Sequence, residues 1–269
     1  MRRALALALL LALVGLGGSA EAAITFVGSA TAASTNGGPT TVDLTTITGL
    51  AQNDIVIVGC GVGDTDDTDH DMTMTTSGYT EVADLFADDV NEAQLGVFWK
   101  IMGATPDTSA VCADPGAGNN AGQAVVAMAF RGVDQTTPMD VTPTTATGVN
   151  TNIPDPPSVD HNNPSGVWTV VVGTFAHVGG PTVTVTAPTN YTTNAADDTA
   201  NDTIDVTTGM GYYTTPADPE DPGAFTPSIA DSVDDSWATA TIALRPAAEP
   251  EPGAATPAVN LRRSTGFGS

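Results

Sequence analysis

The feature that most constrains this chain is that it repeats itself once. Asp54-Ile-Val-Ile-Val-Gly59 is matched by Trp168-Thr-Val-Val-Val-Gly173, which sets Ile55 against Thr169 at an offset of 114. Gly78-Tyr-Thr80 is matched by Asn190-Tyr-Thr192 at 112, and Gly96-Val-Phe-Trp-Lys100 by Gly209-Met-Gly-Tyr-Tyr213 at 113. Ala124 to Arg131 is matched by Trp237 to Arg245, with Arg131 against Arg245 at 114. Four matches in one order at nearly constant spacing mark a duplication. Two copies of this length are too few and too long for a solenoid.

Within each copy the apolar residues come in short runs bounded by Gly, Pro, Asn and Asp, with almost no helical periodicity. The runs are Ile24 to Val27, Ile55 to Val58, Leu95 to Met102, Ala124 to Phe130, Trp168 to Val172, Thr182 to Thr186 and Ala238 to Leu244. The 42 Thr residues favour the same pleated surface. The chain is therefore expected to be all-β. One copy has too few strands to bury both faces of a sheet, so the copies are expected to share a two-layer sandwich. Two small sandwiches in tandem are the alternative. Repeat one runs from about 24 to 134 and repeat two from about 135 to 246.

Both ends of the chain read differently from this body. Arg2 and Arg3, an apolar run from Ala4 to Leu16, and Ala20-Glu21-Ala22 make residues 1–22 a signal peptide. The apolar run is too short to span a bilayer. Residues 247–269 are rich in Ala, Pro and Glu, then Gly and Ser, and read as a disordered linker and tail. Export implies an oxidising compartment, and Cys60 and Cys112 are the only cysteines, so they are expected to form a disulfide.

Charge narrows the partners. Seven basic and 31 acidic residues give a net charge of −24. Such a surface repels nucleic acid and anionic lipid. Of the acids, 25 are Asp and 6 are Glu, a skew toward turn-forming residues.

Five segments together carry a resemblance. They are Asn53-Asp54-Ile-Val-Ile-Val, Ser77-Gly78-Tyr79-Thr80, Val97-Phe98-Trp99-Lys100, Ala127-Met-Ala-Phe-Arg131-Gly132-Val133-Asp134, and Ile242-Ala-Leu-Arg245-Pro246. Over roughly residues 24 to 246 the chain resembles a largely uncharacterised family of duplicated β-sandwich proteins. The resemblance implies a jelly-roll-like sandwich in a secreted bacterial or phage-associated surface protein, adhesin or appendage. It brings no catalytic residues.

Candidate chemistry centres on Gly63-Asp-Thr-Asp-Asp-Thr-Asp-His-Asp71. Asp64, Asp66, Asp67, Asp69 and Asp71 supply hard oxygen ligands at close spacing, which suits Ca²⁺. The segment is not a helix-loop-helix calcium loop, because Met72 and Gly78 stand where its Gly and bidentate Glu belong. An irregular calcium loop and a solvated acidic hairpin loop are both open. Asp197, Asp198, Asn201, Asp202 and Asp205 read as a second acidic loop. Asp231, Asp234 and Asp235 form a third set before the last strand. His70, His161 and His177 have no metal-binding spacing, and no Ser lies in a nucleophile-elbow context. Trp99, Trp168 and Trp237 are expected to pack in the core rather than to present a sugar-stacking face. Lys100 is expected to be salt-bridged or snorkelling rather than cross-linked.

The expected function is a secreted structural or adhesive module of the cell surface or extracellular matrix, and not an enzyme. A calcium-dependent carbohydrate-binding module is the first alternative and an extracellular hydrolase the second. The expected partners are a surface glycan, another extracellular protein, or a second copy of the chain.

Overall fold

Short β-branched runs separated by turn residues become fifteen strands among the residues that the computed structural model describes, 22–35, 38–113, 122–162, 165–178, 183–197, 204–230 and 234–248. The first repeat gives β1 (Thr25–Ser34), β2 (Thr40–Asp43), β3 (Ile55–Asp64), β4 (Thr73–Met74), β5 (Thr80–Ala87), β6 (Glu92–Ile101), β7 (Ser109–Ala113) and β8 (Gly122–Arg131). The second gives β9 (Thr144–Val149), β10 (Trp168–Val178), β11 (Val185–Thr186), β12 (Thr192–Asp197), β13 (Ile204–Tyr213), β14 (Thr226–Pro227) and β15 (Ser236–Leu244).

Each repeat builds one five-stranded antiparallel sheet. The orders are β1-β8-β3-β6-β5 and β9-β15-β10-β13-β12, so the second sheet reproduces the first strand for strand. The two sheets pack face to face as a β-sandwich. Ile55, Ile57, Leu95, Val97, Val126, Met128 and Phe130 meet Val170, Val172, Val206, Met210, Ala240, Ile242 and Leu244 in one core. The packing is reciprocal: β8 lies on β13 as β15 lies on β6, and β1 on β12 as β9 on β5. Exchanging the repeats leaves that pattern unchanged, which is an approximate twofold axis.

The duplication holds with one correction of register. Ile55 pairs with Phe130, and Trp168 pairs with Leu244. Since Phe130 and Leu244 both face the shared core, the counterpart of Ile55 is Trp168, and this strand pair is offset by 113. The backbone agrees, because Asn53 and Gly166 take the same positive φ (69° and 75°) just before their strands. Likewise Gly78 and Asn190, the residues before the two Tyr-Thr pairs, have φ of 86° and 74°, a region that Gly and Asn enter at lower cost than most residues. The sequence misassigns the first strand because its run is apolar on both faces and carries no alternation to fix parity.

That run is apolar on both faces because each sheet is covered twice. The outer face of the first sheet, with Val56, Val58, Cys60 and Val62, lies under the small sheet β2-β7-β4, which brings Val42, Ala110 and Cys112, and under Met72 just before β4. The outer face of the second, with Val171 and Phe175, lies under β11-β14 and Phe225. All ten residues of β3 are buried. The disulfide Cys60–Cys112 joins β3 to β7, with Cα atoms 6.0 Å apart. Ala22–Ala247 forms one compact unit, and its ends meet where Ala22 N–H donates to the Ala247 carbonyl at 2.7 Å. No helix among the described residues is long and apolar enough to cross a membrane. The expected signal peptide (but for Ala22) and the tail beyond Ala248 lie outside the described residues.

Candidate metal centre

The end of β3 is where the apolar run gives way to acid. Asp64 is its last residue and pairs directly with Glu92, the first residue of β6. Both side chains point to the outer face of the sheet, and both residues are buried, at 4% and 0% exposure. Like charges directly opposed on a sheet destabilise it. No donor among the described residues makes a hydrogen bond to any of the four carboxylate oxygens. The backbone N–H groups of Asp66 and Asp67 approach them and offset the charge only in part. Burial lifts both carboxyls above the ordinary carboxylate range. Asp64 raises Glu92 further, whereas Glu92 and His70 lower Asp64 and Asp66 raises it, so a proton on the pair resides on Glu92.

Four more ligand-type side chains surround this pair. One oxygen or ring nitrogen each from Asp64, Asp66 and His70 lie within 4.8 Å of one another, and so do single oxygens of Asp67, Asp88 and Glu92. Asp66, Asp67 and Asp88 are exposed, so the two triads have a buried floor and an open rim. His70 Nε2 sits 3.1 Å from Asp66 Oδ2 and 3.9 Å from Asp64 Oδ2. Gln94, buried on β6, braces the loop that carries the rim. Its Oε1 accepts from His70 N–H at 3.1 Å, and its Nε2 donates to the Thr68 carbonyl at 3.2 Å. Asp67 has φ of 55°, a turn conformation that Asp tolerates.

The sequence placed five aspartates on one exposed loop, and the fold divides them. Asp64 is not on the loop at all. Asp69 and Asp71 are exposed and belong to neither triad; they lie instead near Asp84 on β5, whose carboxyl they help to raise. Sequence reasoning missed Glu92 and Asp88. Both sit at the β5–β6 turn, Asp88-Asp89-Val90-Asn91-Glu92, which reads as one more solvated turn until β6 is set beside β3. The one available signal is Glu92 itself, a Glu at a strand start in a chain with six Glu.

Repeat two treats the corresponding positions differently. His177 and Asp205 are the counterparts of Asp64 and Glu92, and they too are directly opposed and buried. Repeat two thus sets a histidine against an acid where repeat one sets acid against acid. His177 Nε2 lies 3.3 Å from Thr207 Oγ1. The expected second acidic loop is therefore divided as well: Asp205 is buried in β13, and Asp198, Asn201 and Asp202 lie outside the described residues. In the third set, Asp235 is buried and accepts from Asn91 Nδ2 at 2.7 Å, while Asp231 lies outside the described residues.

The aromatic side chains turn inward. Trp168 and Tyr212 stack with centroids 5.5 Å apart, and Tyr212 stacks on Phe26 at 4.8 Å, all against the shared core. Trp99 packs on the same core, and Trp237 is buried under the second sheet's cover. Lys100 Nζ donates to Asp107 Oδ2 at 2.6 Å and to the Ser77 carbonyl at 2.8 Å, above the Tyr79 ring. No family model matches this chain, and no characterised protein or solved structure is significantly similar to it.

Proposed function

We propose that the protein is a secreted structural or adhesive module of the cell surface or extracellular matrix. The observation that carries this reading is the layering. Both large sheets are covered on both faces, and a disulfide staples the central strand of one to its cover. That construction makes a stiff acidic body whose exposed chemistry lies in loops. The leader-like residues 1–22 and the disulfide support export, and the resemblance to surface and appendage proteins points the same way. The test has two arms. Protein recovered outside the cells should begin at Ala23, and its purified form should bind whole cells or extracellular matrix, or self-associate in sedimentation. Retention inside the cell, or monomeric behaviour with no binding in any arm, would overturn the reading.

A calcium-dependent carbohydrate-binding module is the second reading, and the open rim of Asp66, Asp67 and Asp88 favours it. The inward aromatics weigh against it, since they leave no stacking platform among the described residues. Retention of the protein on immobilised glycans only when Ca²⁺ is present would favour it over the first. The hydrolase reading draws least support, because the most perturbed carboxyl of the cluster, Glu92, is fully buried and out of reach of a substrate.

A further inference from the structure

The geometry points to a divalent-cation site in repeat one, with Asp64 and Glu92 as its floor and Asp66, Asp67 and Asp88 as its rim, suited to Ca²⁺. An acidic cluster alone is ordinary on a chain of this charge. What distinguishes this one is the pair beneath it. Asp64 and Glu92 are buried and directly opposed, and their four oxygens have no hydrogen-bond partner among the described residues. Burial without a partner costs a carboxylate several kcal/mol, and burial beside a second carboxylate costs more. The backbone N–H groups of Asp66 and Asp67, and His70 at 3.9 Å from Asp64, offset that cost only in part; a proton shared by the pair or a cation lodged between them relieves the rest. The rim oxygens favour the cation, because Asp67 and Asp88 bring single oxygens within 4.8 Å of one from Glu92, and Asp66 does the same for Asp64. A shared proton needs no such rim.

The donor set selects the ion. Five carboxylates offer hard oxygens only, in an irregular arrangement split between a strand end, a loop and a turn. Ca²⁺ accepts six to eight oxygens in flexible geometry, whereas Mg²⁺ demands a near-ideal octahedron and sheds its water reluctantly. Zn²⁺ prefers nitrogen and sulfur, and His70 is the one such ligand here, engaged with Asp66 at 3.1 Å. The pseudo-symmetry argues in the same direction. Repeat two sets His177 opposite Asp205, so one carboxyl stands where repeat one has two. Repeat one keeps the strand pair with both positions acidic, and a bound cation offsets the second carboxylate.

This inference does not depend on adhesion, and its test is direct. Purified protein is stripped with EDTA and titrated with CaCl₂ by calorimetry, and its melting temperature is followed in parallel. One Ca²⁺ should bind, and at about a hundredfold excess over Kd the melting temperature should rise by about 5–10 °C. Glu92→Gln should abolish both effects. Asp88→Asn changes only an exposed rim ligand; it should fold normally and bind Ca²⁺ at least about tenfold more weakly. Asp69→Asn/Asp71→Asn should bind as the native protein does. A native melting temperature indifferent to millimolar Ca²⁺ overturns the site, as does a shift that survives Glu92→Gln or that Mg²⁺ reproduces in full. Loss of binding in Asp69→Asn/Asp71→Asn with Asp88→Asn unaffected would return the ligands to the exposed loop.

Discussion

Arg131 grips Asp54 at two points. Its Nε donates to Oδ1 and its Nη2 to Oδ2, each at 2.8 Å, and the aspartate is fully buried while the arginine is half exposed. Ala51 N–H supplies a third bond to Oδ2. The clamp ties the end of β8 to the start of β3, neighbouring strands at the centre of the first sheet. The partners are unequal, because Arg131 without Asp54 can turn to water and Asp54 without Arg131 cannot. Arg131→Met should therefore cost about 3 kcal/mol, and Asp54→Asn, which removes the buried charge, about 1 kcal/mol. Urea unfolding of the two variants measures this. Equal losses, or an Arg131→Met loss under about 0.5 kcal/mol, would mean that the clamp is ornamental.

Gly61 sits where the facing sheet leaves no room for a side chain. A Cβ there would overlap Oγ1 of both Thr208 and Thr174, whose hydroxyls lie 3.0 Å apart in the core. Either the sheets move apart or the buried threonine pair is broken. Gly61→Ala should cost about 1–3 kcal/mol, while Gly103→Ala, with nothing within 4 Å of the added carbon, should be close to neutral. Thermal melts of the two settle it, and part of the Gly61→Ala loss should return in a Thr174→Ala/Thr208→Ala background.

The Cys60–Cys112 bond closes a 52-residue separation and joins a central strand to its cover. Cys60→Ala/Cys112→Ala should lower stability by about 2–4 kcal/mol, read as a fall in melting temperature of about 5–15 °C. An unchanged melting temperature would show that the cover holds to the sheet without the bond.

How much of this was legible in the sequence differs from element to element. The strand class, the duplication and the cysteine pair follow from local chemistry: β-branched runs, repeated turn residues, and two cysteines in a chain that reads as exported. The parity of β3 does not, because Ile55 to Val62 is apolar at the positions of both faces and a one-residue slip leaves the pattern unchanged. The metal candidate inherits that blindness. Asp64 was visible, but its opposite, Glu92, is fixed only by the β3–β6 register, 28 residues away. The strand-end arginines make the same point, for Arg245 Nε meets the buried Asp140 Oδ1 at 3.1 Å as Arg131 meets Asp54. Arg131 and Arg245 were aligned from sequence, yet Asp54 stands before β3 and Asp140 before β9, and only the fold shows that both are the buried partner of a strand-end arginine.

Asp84 gives the fold a pH dependence that can be isolated from the cation site. Its Oδ2 accepts from Met72 N–H at 3.1 Å, Oδ1 has no partner among the described residues, and Glu81, Asp69 and Asp71 add negative charge nearby. Burial first, and those acids after it, push the Asp84 carboxyl up to about 7. Its folded value therefore lies above its unfolded one, so between about pH 4 and pH 7 the native state holds a proton that the unfolded chain has lost. Stability must then fall as pH rises through that interval and level off above it, as far as this group is concerned. Asp84→Asn keeps an acceptor for Met72 and removes the titration. Melts of both proteins from pH 4 to pH 8 in excess EDTA should show the native curve falling away from the Asp84→Asn curve as pH rises. Asp64 and Glu92 are present in both, so the difference between the curves reports Asp84 alone. Two parallel curves would mean that Asp84 titrates as an ordinary surface carboxylate.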